Sequence, residues 1–146
     1  MVNNKNIVVI YLDVQERVDF YLRFLNAFSS QNLHAVFITE NYSLIKYIEG
    51  KNVKDSEIHY ITRINGSNFF NQPDLSQALE VLLNQYSLSQ AKRIYYSVWQ
   101  ILSHLPINRL SYFFIWNGHK IADLAMKQFA EKFKTQTSQV KIPCTP

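Results

Sequence analysis

The sequence predicts an α/β domain, an open parallel sheet with helices on both faces, and three observations carry that expectation. Four short runs, NIVVIYLDV (6–14), HAVFITE (34–40), EIHYITRI (57–64) and LSYFFIW (110–116), are apolar and rich in β-branched or aromatic residues. Runs of this kind suit strands covered on both faces. Between them lie stretches in which apolar residues recur every three or four positions, so strands and helices alternate in the rhythm of βαβ units with right-handed crossovers. The chain of 146 residues, 47% hydrophobic with only Gly 3 and Pro 4, is long and apolar enough for one well-buried domain.

The run 6–14 is the least interrupted and is expected to be the first, central strand. From Gln15 the period changes: Val18, Tyr21, Leu22, Leu25 and Phe28 form an apolar stripe, with Glu16, Arg17, Asp19 and Arg23 between them. This amphipathic helix ends near SSQN. After the strand at 34–40, YSLIKYIEGK (42–51) reads as a shorter helix closed by Gly50. The run 57–64 alternates as a third strand.

Turn formers dominate NGSNFFNQPD (65–74), after which Asp74 is placed to cap a helix with Leu75, Leu79, Leu82 and Leu83 inward. A further helix over 89–105 stops at Pro106. Two helices are more than a simple crossover needs, and such additions often build the wall of a cleft. The strand 110–116 follows, and in HKIADLAMKQFAEKF the residues Ala122, Ala125, Met126, Phe129 and Phe133 fall on one helical face. Residues 1–134 are thus read as one Rossmann-like domain. The segment 135–146, with two prolines and no clear period, is read as an irregular tail. A doubly wound sheet would ordinarily continue there, so the expectation is of an incomplete domain.

The formal charge is +4, from 15 Lys+Arg against 11 Asp+Glu, but the basic residues are scattered among apolar and acidic neighbours. Solvated helix faces account for that pattern, and attraction to an anionic ligand or membrane surface is the alternative. No zinc-finger, RRM or helix-turn-helix signature points to nucleic acid. The lone cysteine, Cys144, leaves no internal disulfide to form and favours a reducing compartment. The first apolar run is too short for a signal segment or a membrane span. A cytoplasmic protein, soluble or peripheral at the inner membrane face, is expected.

Chemistry is best sought where strands end. In open α/β sheets ligands gather beyond the carboxyl ends of the strands, where helix N-termini offer free N–H groups and a positive dipole end. Trp116, Asn117 and Gly118 form such a strand-to-helix turn, and Asn and Gly are the residues most tolerant of positive φ. Asn117, Gly118 and the adjacent His119 are therefore candidate ligand contacts, the bland alternative being that they only make the turn. Asp13, at the end of the first strand, either orients a hydroxyl or acts as a base, or else caps the following helix with Gln15 and Glu16 in its first turn.

A buried strand ending in Trp-Asn-Gly and followed by a helix with an alanine-rich inward face resembles the N-terminal half of bacterial capsular polysaccharide synthesis proteins of the β-Kdo transferase kind. The order IVVIYLDV, long helix, HAVFITEN is similar too, so the likeness spans most of residues 6–134, with Trp116–Gly118 its specific part. The resemblance implies a GT-B-like inverting glycosyltransferase that transfers Kdo, without bound metal or resident cofactor, from the donor substrate CMP-Kdo to a lipid-linked glycan acceptor. It implies that this part is the acceptor-side domain, with Asp13, Asn117, Gly118 and His119 near substrate. The Glu-x-Gly-type segment that follows in that family is not found after KFKTQTSQVK. No catalytic residue is assigned, and the chain alone is expected to be inactive.

Other chemistry finds little support. His34, His59, His104 and His119 show no metal-ligand spacing. Neither a glycine-rich phosphate loop nor a G-x-S-x-G elbow is present. The competing reading is a non-catalytic α/β interaction module that docks its basic faces on a partner or an anionic membrane surface.

Overall fold

The computed structural model describes residues 5–27, 32–61, 88–115, 121–133 and 138–139. Its strands are β1 (Asn6–Leu12), β2 (Leu33–Thr39), β3 (Ser56–Tyr60), β4 (Leu110–Ile115) and β5 (Ser138–Gln139). The helices are α1 (Gln15–Ala27), α2 (Tyr42–Gly50), α3 (Leu88–Ser103) and α4 (Ile121–Lys132). The five strands form one sheet in the order β3-β2-β1-β4-β5, and every pairing is parallel. This is the α/β Rossmann-like arrangement expected from the sequence.

Alternation along β1 explains why its run is apolar throughout. Val8, Ile10 and Leu12 join Val18 and Tyr21 of α1 and Leu44 and Ile48 of α2 on one face. Ile7, Val9 and Tyr11 face the other way, into a cluster with Ile94, Val98 and Leu102 of α3 and Ala122, Met126 and Phe129 of α4. A strand flanked on both sides and covered on both faces has no polar position to offer. Ile7 to Leu12 are accordingly buried without exception. On the α1 side the packing is largely aromatic, with Phe24 edge-on to Phe114 at 4.9 Å between ring centroids.

Several boundaries differ from the sequence reading. β1 ends at Leu12, not at residue 14, because Asp13 turns its carboxylate to Arg17 and the chain enters α1 two residues later. β3 stops at Tyr60, and residues 62–64 of the expected strand lie outside the described residues, as do the turn region 65–74 and the helix expected after Asp74. Gly50 does not close α2 in the left-handed region. It is the last helical residue, Lys51 stays right-handed, and Asn52 takes the positive φ of 51°. Asn41 caps the other end of α2, its side-chain oxygen accepting from the Ser43 N–H at 3.1 Å.

Pro106 ends the α3 region as expected and leads a 3-10 turn over Ile107–Arg109. On α4, Phe133 is less buried than the expected inward face requires, at 37% exposure, although it still meets Phe129 at 4.5 Å between centroids. The segment read as an irregular tail supplies β5, whose Ser138 and Gln139 pair with Phe114 and Ile115.

Candidate functional site

The strand order fixes where a crevice must open. From β1 the chain proceeds to β2 and β3 on one side, while β4 and β5 lie on the other, so the order reverses between β1 and β4. The helices that follow those two strands, α1 and α4, lie on opposite faces, and the gap beside such a reversal is the usual ligand site of these sheets. Asp13 follows β1 and so borders this switch point; Trp116, next in sequence after β4, lies outside the described residues. Asn117, Gly118 and His119 themselves lie outside the described residues.

Around Asp13 the described side chains make a few charged and polar contacts. The Arg17 guanidinium donates to the Asp13 carboxylate at 2.8 Å, one helical turn away. The Asp13 carbonyl accepts from the Asn41 side-chain amide at 3.5 Å, which ties the end of β1 to the cap of α2. The Tyr11 hydroxyl donates to Glu40 at 2.5 Å, linking the last turns of β1 and β2 from the opposite face. These contacts tie the carboxyl ends of β1 and β2 to the starts of α1 and α2.

Asp123, in the first turn of α4, is a member of this region that the sequence reading missed. It is 3% exposed, a degree of burial rare for a carboxylate. Its influence reaches Tyr21 on α1: burial pushes the Tyr21 hydroxyl well above its ordinary pKa, the Asp123 carboxylate adds to the rise, Arg17 opposes it, and Asp13 adds a little. Asp123, Arg17 and Asp13 are thus all near enough to act electrostatically on one buried phenol. An aspartate one turn into a helix reads from sequence as an ordinary first-turn acid, so nothing local signalled its burial.

Two cavities lined by described residues lie toward the amino ends of the strands, away from the switch point. One, of about 470 Å³, is lined by His34, Glu57, His59, Gln100 and His104 with apolar neighbours. The other, of about 650 Å³, lies beside the C-terminal end of α1 and the α2–β3 loop, with Lys51, Lys54 and Asp55 in its wall. Three of the four histidines are therefore brought into one cavity although their spacing showed no pattern. Among the described residues no group of three or more His, Cys, Asp or Glu is arranged to hold a metal ion. Nor is any described helix long and apolar enough to cross a membrane.

No known family model matches the chain, and no curated protein matches it in sequence.

Proposed function

We propose that this chain is the Rossmann-like, acceptor-side domain of a glycosyltransferase of capsule or surface polysaccharide synthesis. The observation that carries the reading is the sheet order, with its reversal between β1 and β4. Asp13 follows β1, one of the two strands that border the crevice, and in sequence Trp116, Asn117 and Gly118 come directly after β4, the other. The sequence resemblance to β-Kdo transferases rests on that same turn. Arg17, held by Asp13 at 2.8 Å, is placed to meet an anionic sugar or phosphate on a lipid-linked glycan. Asn117 and His119, candidate contacts from the sequence, would supply further hydrogen bonds.

A GT-B-like reaction occurs in the cleft between two domains, since one holds the donor nucleotide and the other the acceptor, and the rate depends on bringing them into near-attack geometry. CMP-Kdo transfer is therefore a property of this sheet together with a second wall. No residue of this chain is given the role of acid or base.

Equilibrium binding of a short lipid-linked glycan to the purified chain, followed by tryptophan fluorescence, tests the reading. Saturable binding that weakens in Arg17→Ala and in Asn117→Ala is expected. Absence of glycan binding, or binding indifferent to both changes, would refute it. Association with anionic vesicles that carry no glycan, in place of glycan binding, would favour the non-catalytic interaction module.

A further inference from the structure

The larger cavity lies between the C-terminal half of α1, the start of β2 and the loop from α2 to β3, at the end of the sheet away from the switch point. Its floor is aliphatic. Leu22 and Leu25 of α1, Leu33 of β2 and Val53 of the loop line it beside the buried Ala35, and these four stay only half-buried although they pack against the core of this face. Apolar surface gathered around one space of about 650 Å³, within the ordinary range for small-molecule sites, marks a place where something binds.

The rim is basic. Lys51 and Lys54 both stand in it, exposed, and neither is paired with a carboxylate among the described residues; Lys51 holds its ammonium 4.7 Å from the centre of the Tyr47 ring. Asp55, the acid in the wall, is already engaged by Lys5. At the end of α2 the carbonyls of Ile48 and Glu49 accept from the backbone N–H groups of Lys51 and Asn52 at 3.0 and 3.1 Å, so they too are occupied. Two cations thus face this space without a counterion. The described non-glycine residues with left-handed φ, Asn32, Asn52 and Asp55, all stand at the same mouth, and such conformations gather where a chain is shaped around a site.

We propose that this cavity binds the monomer of a medium-chain alkyl carboxylate, its hydrocarbon chain lying on Leu22, Leu25, Leu33 and Val53 and its carboxylate within reach of Lys51 and Lys54. Charge and shape both select this class. An alkylammonium of the same length would cover the leucines but bring like charge to the lysines, and a short carboxylate would meet the lysines but leave the leucines wet. The chain's net charge of +4 also favours the approach of an anion. The site is independent of the glycan reading, since none of its residues borders the β1–β4 crevice.

The test is an amide NMR titration of the full chain with butyrate, hexanoate, octanoate and decanoate, against n-octanol and n-octylammonium as controls. Saturable shifts at Leu25, Asn52 and Lys54 are expected, with octanoate in the submillimolar to millimolar range that so few heavy atoms allow. Affinity should rise about fourfold with each added CH₂ until the cavity is filled, the transfer value of a buried methylene. Replacing both lysines, Lys51→Gln with Lys54→Gln, should weaken octanoate at least about fivefold and leave octanol unchanged. Both positions are exposed, so the double variant should keep the circular dichroism spectrum of the parent. No saturable response, affinity indifferent to chain length, octylammonium binding as tightly as octanoate, or undiminished octanoate binding in the folded double variant would each overturn the proposal. So would association with phosphatidylglycerol vesicles without any response to monomeric octanoate, which would make this mouth a membrane contact instead.

Discussion

Gly50 ends α2 on an exposed turn, and a Cβ built on it would meet nothing within 4 Å. Because the positive φ is carried by Asn52 and not by Gly50, alanine at position 50 needs no backbone change. What alanine removes is the extra freedom of glycine in the unfolded chain, together with the poor helix propensity of glycine. Those terms are worth about 0.5 to 1 kcal/mol, or about 1 to 4 °C in melting temperature for a domain of this size. Gly50→Ala should therefore stabilise the protein in a thermal or urea melt. The companion change sharpens the test: Asn52→Ala keeps a Cβ in the left-handed region but removes the short polar side chain that makes asparagine tolerant of it, and should cost about 1 kcal/mol. If Gly50→Ala lowered the midpoint and Asn52→Ala did not, the left-handed residue would be Gly50, and the account of how α2 ends would be wrong.

Other expectations follow from the core and the sheet edge. Phe129→Ala removes a fully buried ring that packs edge-on to Trp99 and Phe113, and should lower stability by about 3 to 5 kcal/mol in denaturant titration. Tyr11→Phe deletes the donor to Glu40 and should cost about 1 to 2 kcal/mol, an effect that Glu40→Gln, which keeps an accepting oxygen but loses the charge, should reproduce only in part. In alkali, burial holds Tyr95 neutral to about pH 12 and raises Tyr21 further, so in the fold these two phenols keep their protons after the unfolded chain has lost them near pH 10. Stability should thus fall progressively above pH 10, and absorbance at 295 nm should show two tyrosines that ionise late or only on unfolding. At the acid end, the Lys5 hydrogen bond lowers the Asp55 pKa, so this pair's contribution is present above the ordinary carboxylate range and is lost as pH falls through the folded value; Asp55→Asn should abolish that part of the acid dependence.

Strands were easy to read because a parallel sheet covered on both faces leaves uninterrupted apolar runs, and β1, β2 and β4 each carry one. Their ends were harder, since Asp13 follows the apolar run without a break and leaves the strand to pair with Arg17 one helical turn on. Gly50 misled for a related reason: glycine commonly ends helices, but asparagine also tolerates positive φ, and here Asn52 does the work two residues later. For the site, Asp13 was legible as a carboxylate at a strand end, whereas Asp123 was not, because its burial depends on how α4 seats against the sheet. The cluster of His34, His59 and His104 was invisible in the sequence. It is assembled by the register of β2 with β3 and by the passage of α3 across them.

The central position of β1 also sets an order of events as the chain emerges from a ribosome. Ile7 finds His34 on one side early, and β2 then finds β3, so three strands with α1 and α2 can associate before β4 exists. The other edge of β1 must wait for Leu110 and Phe113, and its second face for α3 and α4. Until then the most apolar strand of the protein presents an unpaired backbone edge and an uncovered face, the combination that invites pairing with a neighbouring chain. Long-range parallel pairing of this kind is slow to form. A chaperone that shields that edge during synthesis should raise the yield of folded protein more than it changes the stability of the finished domain.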